Sequence, residues 1–384
     1  DAPLRGDAPN LRRLASGGAE AAHGLVPPFP ASTFPAHATL ATGAYPDSHG
    51  IVNNEFLDRE RGLFKRDDDA SWLLREPLWA TAERQGVRAA VYHWVCSGRS
   101  WRGVAPSIRV PYDPGPPDAE SVDRIIAWLR TAGSGRPRLI LAYLHGPDAA
   151  GHREGPLSQA VLNEVRLCDR LVGRLLQALG HLGRPVALLL VSDHGMSDVR
   201  TPIDVRRLLA GAAPGARAIG IGGTSNIYCS RPAACGAAES ILSRAPGLTV
   251  YRRDELPPDL HYRLAARSGD LVAIAPPGTY FADREPHRGP PPRGMHGYRP
   301  DDPEMRGIFY AWGAGIRKGS RPETVRMIDV DPLICRLLGI EPPAGIDGRV
   351  PEELLVMPAG EPVEKDRPGP ARHPPVPGGS GGPP

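Results

Sequence analysis

The sequence predicts an α/β fold: a doubly wound, largely parallel sheet with helices on both faces. Short apolar runs of strand length alternate with amphipathic helical segments, which is typical of parallel sheets covered on both sides. Two of the apolar runs end in Asp and His side chains. Active sites in such folds usually lie beyond the carboxyl ends of the strands. The pattern therefore predicts a fold and a place for its site.

Five apolar runs predict buried strands, and two segments with apolar residues at helical spacing predict helices. The predicted strands are 88–92, 139–144, 186–191, 271–275 and 307–311. The predicted helices are 121–130 and 158–179.

Composition bounds the class of protein. The 384 residues are 41% hydrophobic, which is enough for one large α/β domain. Lys and Arg total 46 against 43 Asp and Glu, and no basic stripe indicates nucleic-acid binding. No apolar run approaches the ~18 residues of a membrane span, and we expect no signal peptide within the given residues. Oligomeric state and compartment stay open.

Domain boundaries follow composition. We expect a catalytic domain over 1–356, with a small inserted lobe at about 197–290. The 45 Pro and 45 Gly residues concentrate towards the C-terminus, and 357–384 contain almost no apolar residue. This composition predicts a disordered tail. A Pro-rich stretch at 286–293 predicts a surface loop.

The five cysteines show no CxxC spacing, so a zinc knuckle or a disulfide framework is not expected. Cys229 and Cys235 could pair in an oxidising compartment. We favour the other interpretation, in which both are small buried hydrophobes.

Candidate metal donors follow two predicted strands. Asp193 and His194 come after the run 186–191, and zinc takes oxygen and nitrogen ligands. Asp148 and His152 follow the run 139–144 at a spacing of four, which brings them to one side of a helical turn. His296 follows the Pro-rich loop. Each of these motifs, taken alone, is also compatible with a purely structural role, in which the Asp stabilises a turn and the His packs without binding metal.

The nucleophile candidate is Thr33. A helix that starts near Phe34 and Pro35 would place the proline in its first turn, and its free N–H groups would favour a phosphate. A hydroxyl is a poor nucleophile at neutral pH unless a divalent metal lowers its pKa. The alternative is an ordinary helix cap by Ser32 or Thr33.

These pieces, taken together, resemble the nucleotide pyrophosphatase/phosphodiesterase family of the alkaline phosphatase superfamily. The segment 33–54, TFPAHATLATGAYPDSHGIVNN, is similar to that family's nucleophile segment along its whole length. Further similar motifs are PDAAGH at 147–152, VSDHGM at 191–196 and HGY at 296–298. The resemblance covers roughly residues 9 to 338.

The resemblance implies an alkaline-phosphatase-like fold and two Zn²⁺ ions, although other divalent metals fit the same donors. It implies that Asp148, His152 and His296 hold the metal that activates the hydrolytic water. Asp193, His194 and Thr33 would belong to the other metal.

The implied activity is hydrolysis of phosphodiester or pyrophosphate bonds, in nucleotides or related diesters, through a phospho-threonine intermediate. Asn54 matches the family's asparagine that donates to a phosphoryl oxygen. Relatives often act outside the cytoplasm, in secreted or periplasmic form, and a cytoplasmic location stays open because no signal peptide is present.

Two aromatic residues bear on the substrate. Phe34 follows the nucleophile, and Tyr112 precedes the stretch 116–129, which is similar to the family's segment after its base-stacking tyrosine. If both line the pocket, a nucleobase could stack between them. The alternative is that Phe34 lies in the core and Tyr112 in a Pro-rich loop.

The pattern differs from the family at one point. The family has a further metal-binding Asp at the end of a first, central strand, and the sequence upstream of Thr33 is too short to contain that strand. Neither Asp1 nor Asp7 follows an apolar run, so neither is assigned to metal. We expect a fragment of a longer reading frame rather than a natural short form with a weakened second site.

Three functions stay open. The leading one is a phosphodiesterase or nucleotide pyrophosphatase. The second is a related two-metal hydrolase of phosphomonoesters, phosphonates or sulfate esters, although nothing in the sequence resembles the extra Arg that grips a monoester. The third is a catalytically impaired homologue that only binds nucleotides or lipid head groups.

Overall fold

The computed structural model describes residues 8–282 and 290–356. The predicted tail 357–384 lies outside the described residues, as does the first half, 286–289, of the predicted loop 286–293. No helix in the described parts of the chain has both the length and the apolar character needed to cross a membrane.

Ten α-helices are present in the described residues. In chain order they are α1 Pro9–Gly17, α2 Thr33–Thr42, α3 Pro46–His49, α4 Leu78–Arg84, α5 Asp118–Arg130, α6 Asp148–Glu154, α7 Gln159–Gly180, α8 Val205–Leu209, α9 Pro232–Leu242 and α10 Val330–Leu338.

The strands are mostly short. They are β1 Ala19–Glu20, β2 Leu25–Val26, β3 Glu55–Asp58, β4 Gly62–Lys65, β5 Ala89–Tyr92, β6 Ile108–Val110, β7 Leu139–Ala142, β8 Ala187–Val191, β9 Ser197–Asp198, β10 Thr201–Ile203, β11 Ala216–Ile219, β12 Thr224–Cys229, β13 Thr249–Arg252, β14 Leu271–Ile274, β15 Thr279–Phe281, β16 Gly294–Met295, β17 Phe309–Gly313 and β18 Val325–Arg326.

One of the two strands that were predicted to lead into metal donors, β7, belongs to a parallel sheet. Strand β5 lies between β6 and β7 and pairs in parallel with both. All four residues of β5 are buried, as expected for a strand covered on both faces. Helices α5 and α7 pack together through a buried cluster that includes Val122, Ile126 and Leu171. The α/β fold class is therefore confirmed.

The second strand end lies in a sheet of different pairing. Strand β17 pairs antiparallel with β8 on one side and with β1 on the other. The largely parallel pairing that we predicted thus holds for β5, β6 and β7 and not for β8. Mixed sheets, which combine parallel and antiparallel pairs, are common among large sheets.

A four-stranded antiparallel sheet, in the order β11–β12–β14–β13, falls within the range 197–290. It packs with α8 and α9 around a second core cluster that includes Val205, Ile227 and Leu242. The division into a domain and an inserted lobe stays a prediction.

Cys229 and Cys235 form a disulfide, with Cα atoms 5.5 Å apart. Our favoured interpretation of two unpaired buried thiols is therefore wrong for this pair. The bond joins the end of β12 to the first turn of α9, and the six-residue separation brings the two Cα atoms within disulfide range.

Candidate active site

The nucleophile candidate opens a buried helix. Thr33 is the first residue of α2, and the eight residues after Phe34 are buried. The helix ends at Gly43, whose left-handed backbone (φ 59°) lets its N–H bond to the Thr39 carbonyl. Ser32 precedes the helix, but its side chain makes no capping hydrogen bond. The Thr33 hydroxyl instead lies 3.4 Å from Nε2 of His194.

Asn54 is fixed against the start of the same helix. Its Oδ1 accepts a hydrogen bond of 2.9 Å from the backbone N–H of Phe34, and the residue is 5% exposed. Because the amide oxygen is used in this way, the amide NH₂ is left to donate elsewhere. This geometry supplies a donor next to Thr33.

Three candidate histidines share one hydrogen-bonding pattern. In each, Nδ1 bonds to a backbone carbonyl: His152 to Gly294 at 2.8 Å, His194 to Gly195 at 2.9 Å, and His296 to Ala31 at 3.2 Å. A carbonyl oxygen can only accept, so each Nδ1 carries the proton and each Nε2 presents a lone pair. This arrangement is typical of histidines that bind metal through Nε2.

The two carboxylates lie beside these rings. Asp148 Oδ2 is 3.4 Å from Nε2 of His152, and Asp193 Oδ2 is 3.4 Å from Nε2 of His194. The other oxygen of Asp148, Oδ1, is buried without a hydrogen-bond partner among the described residues. A buried carboxylate oxygen without a partner is costly, and a cation at this point would remove that cost.

Donors from the two predicted metal sets lie close to one another. One ligand atom each from Asp148, His194 and His296 lies within 4.8 Å of the other two. The rings of His194 and His296 stack with centroids 3.7 Å apart. His194, predicted to share a metal with Asp193 and Thr33, thus also lies beside the other predicted set.

Burial favours the neutral, metal-binding form of His296. The pKa of His296 is well below its usual value because the ring is buried, and His194, His152 and then Arg66 add to the decrease. Burial also lowers the pKa of His37, with Asp193 acting in the opposite direction.

These donors fit zinc. Carboxylate oxygens and imidazole nitrogens are its usual ligands, and the buried Asp148 oxygen and the three Nε2 atoms are oriented for a cation.

The two substrate-lining candidates, Phe34 and Tyr112, pack against different aromatic neighbours. Phe34 is partly buried, and its ring packs edge-on against Phe64 with centroids 5.6 Å apart. Tyr112 is 49% exposed, and its ring lies 6.3 Å from Tyr143 and 5.6 Å from His145. The two rings do not contact each other in the described structure, and their joint stacking on a base stays a prediction.

Several residues around the site have no assignment from the sequence. His37 Nδ1 lies 2.8 Å from the Thr33 carbonyl and 3.6 Å from Asp193 Oδ2. The sequence signal for this contact was the spacing of four residues between Thr33 and His37, which puts both on one face of the helix. Asp118 accepts hydrogen bonds from the backbone N–H groups of His145 and Gly146, at 2.9 and 3.0 Å. No local pattern indicates that bridge, since 27 residues separate Asp118 from His145.

The fold and the donor set define a class of protein: an α/β protein with Asp and His donors gathered around a half-buried Thr at the ends of its strands. A family model described as type I phosphodiesterase/nucleotide pyrophosphatase matches residues 2–299. The chain belongs to that family, as the resemblance implied.

Curated relatives of the chain support the same family membership. The chain is 29% identical over 334 residues to ectonucleotide pyrophosphatase/phosphodiesterase family member 1 of Mus musculus. The aligned region covers 82% of this chain and 37% of the relative. It is 30% identical over 365 residues to an uncharacterized pyrophosphatase/phosphodiesterase of Schizosaccharomyces pombe, covering 88% of this chain and 74% of the relative. The chain thus spans little more than a third of the mouse protein.

Solved structures share the fold. Human ectonucleotide pyrophosphatase/phosphodiesterase 5 superposes with a TM-score of 0.82 at 27% identity, covering 89% of this chain and 92% of that one. An inactive variant of the murine protein, in complex with AMP, gives a TM-score of 0.80 at 26% identity, covering 87% and 90%. The alkaline-phosphatase-like α/β fold is therefore confirmed.

Proposed function

We propose that this chain is a phosphodiesterase or nucleotide pyrophosphatase that hydrolyses phosphodiester or pyrophosphate bonds through a phospho-threonine intermediate. One observation carries the proposal. The rings of His152, His194 and His296 all hold a backbone carbonyl at Nδ1 and so present Nε2 beside two carboxylates, with the Thr33 hydroxyl 3.4 Å from one of those nitrogens. Family membership supports the same chemistry.

Two Zn²⁺ ions are the proposed cofactor. Asp148, His152 and His296 would hold one, and Asp193, His194 and Thr33 the other. When bound, zinc supplies positive charge that favours deprotonation of a hydroxyl or water and offsets the charge of the phosphoryl oxygens.

The residues of the chain have separate roles in the proposed reaction. Thr33 Oγ1 attacks phosphorus, the bond from phosphorus to the leaving-group oxygen breaks, and the phosphoryl group stays on Thr33. Water then cleaves the new Oγ1–P bond and restores the hydroxyl. The Asn54 amide donates to a phosphoryl oxygen as charge develops there. His37 bonds to the Thr33 carbonyl and fixes the first turn of α2.

Nucleotides are the proposed substrates. Phe34 and Tyr112 would contact the base, because Tyr112 is half exposed and Phe34 follows the nucleophile. The murine structure is of a complex with AMP, which supports a nucleotide as the ligand of this chain.

The test is hydrolysis of a chromogenic aryl phosphodiester and of the matching aryl phosphomonoester, with added zinc and with or without a chelator. We expect chelator-sensitive turnover that favours the diester and disappears in Thr33→Ala. Preference for the monoester would instead support the related two-metal monoesterase. Nucleotide binding without turnover in any metal would identify a binding homologue and refute the proposal.

A further inference from the structure

An arginine whose side chain has no hydrogen bond or ion pair among the described residues lies beside the proposed phosphate donor. Arg66 comes directly after β4, and its backbone N–H bonds at 3.0 Å to the carbonyl of Asn54, which precedes β3. The two residues therefore form the next cross-strand pair after Glu55 and Lys65. Facing residues of an antiparallel pair have Cβ atoms about 5 Å apart, so Arg66 lies next to the Asn54 side chain.

The arginine is also close to the nucleophile helix. Asn54 holds the Phe34 N–H through its amide oxygen, and the Phe34 ring packs on Phe64, two residues before Arg66. Arg66 further belongs to the electrostatic surroundings of His296. The hairpin β3–β4 thus brings Arg66 close to the Asn54 donor and within electrostatic range of His296, one of the proposed metal donors.

The guanidinium is available for a ligand. Arg66 is exposed, and among residues 8–282 and 290–356 its side chain has no hydrogen bond or ion pair. Other arginines nearby are engaged: Arg267 pairs with Asp58 at 2.8 Å, and Arg61 bonds to Ser71. Arg66 also has a left-handed backbone (φ 48°), a conformation that is uncommon for non-glycine residues and is enriched at functional sites.

We propose that Arg66 is a specificity-determining residue that binds an anionic group attached to the reacting phosphoryl group. Substrates with a second phosphate would then be preferred over esters whose leaving group lacks one. The planar guanidinium can donate two parallel hydrogen bonds to phosphate oxygens. The inference rests on the proposed function, since it assumes that Asn54 donates to the reacting phosphate.

The experiment compares two substrates with one nucleoside: thymidine triphosphate and the p-nitrophenyl ester of thymidine monophosphate. We expect Arg66→Ala to lower kcat/KM for the triphosphate by about 10- to 100-fold, the range for a hydrogen bond to a charged group, with less than about a threefold change for the aryl ester. Arg66→Lys keeps the charge without the planar fork and should recover part of the loss. Lys65→Ala is the matched control, since Lys65 is exposed and lies 3.9 Å from Glu55.

A binding measurement tests the role of Arg66 independently of whether the chain hydrolyses its substrate. In a Thr33→Ala background, Arg66→Ala should weaken binding of ADP by about tenfold or more and leave binding of AMP nearly unchanged. Equal losses for both ligands, or no loss for either, would overturn the role of Arg66 whether or not the chain turns over. Absent hydrolysis of the aryl ester by the parent chain would instead count against the proposed function alone.

Discussion

The hydroxyl oxygen of Thr33 lies 3.4 Å from Nε2 of His194, the residue that follows Asp193 beyond the end of β8. This contact joins the start of a buried helix to the end of a strand that is more than 150 positions away in the sequence. It places a weak nucleophile among groups suited to a cation, which is the arrangement that hydroxyl activation requires.

Removal of the Thr33 hydroxyl should abolish turnover. We expect Thr33→Ala to lower kcat for an aryl phosphodiester by at least about a thousandfold, because the proposed covalent intermediate forms on the Thr33 hydroxyl. Thr33→Ser keeps the hydroxyl and should retain measurable activity. Ser32→Ala is the control, as its side chain caps nothing. Turnover of Thr33→Ala within tenfold of the parent chain would contradict a phospho-threonine intermediate.

Zinc content should depend on the histidine cluster. We expect about two zinc ions per chain after dialysis against zinc-containing buffer, from the proposed donor sets. His296→Ala removes a buried donor and should weaken zinc binding by at least about tenfold. His23→Ala, an exposed histidine outside the cluster, should leave it unchanged. Elemental analysis with a competing chelator measures both, and unchanged zinc content in His296→Ala would exclude that residue as a ligand.

Asp118 should stabilise the loop that carries Asp148. Its carboxylate accepts from the N–H groups of His145 and Gly146 and lies 3.2 Å from Nδ1 of His145. Asp118→Ala leaves these donors without their partner, which should cost about 2–3 kcal/mol of unfolding free energy.

Asp118→Asn keeps one acceptor oxygen and should cost less. Urea unfolding gives the stability, and zinc titration shows whether the loop positions Asp148. If Asp118→Ala matches the parent chain in both measurements, the bridge has no role in positioning.

Asp331 should make the protein less stable as the pH rises. Burial raises the pKa of this carboxyl from 3.8 to about 8, so the folded chain keeps a proton that the unfolded chain releases above about pH 4. Folded protein therefore binds more protons between about pH 4 and 8, and stability falls with increasing pH over that window.

Asp331→Asn cannot ionise and should remove this contribution, on the order of a few kcal/mol between pH 4 and 8. The measurement is the difference between the unfolding free energies of the two chains at several pH values. Curves that run parallel from pH 4 to 8 would show that Asp331 ionises normally in the fold.

Local sequence determined much of the fold and the identity of the donors. An apolar run predicted the strand that became β5, and apolar periodicity predicted the helix that became α7, because the burial of side chains is encoded residue by residue. The placement of Asp148 and Asp193 after strands followed from the same apolar runs. The sequence did not indicate the antiparallel contact of β8 with β17, since the pairing of strands that are distant in sequence depends on the return path of the chain.

The sequence by itself thus determined the α/β class, the family and the candidate donors, since composition, periodicity and motif spacing are local properties. Tertiary structure alone decided which of those donors meet. It placed His194 against His296 with stacked rings and gave each of three histidines a backbone carbonyl as partner at Nδ1. It also set Arg66 beside Asn54. Most of these contacts join residues that are apart in the chain, and only the folded backbone brings such residues together.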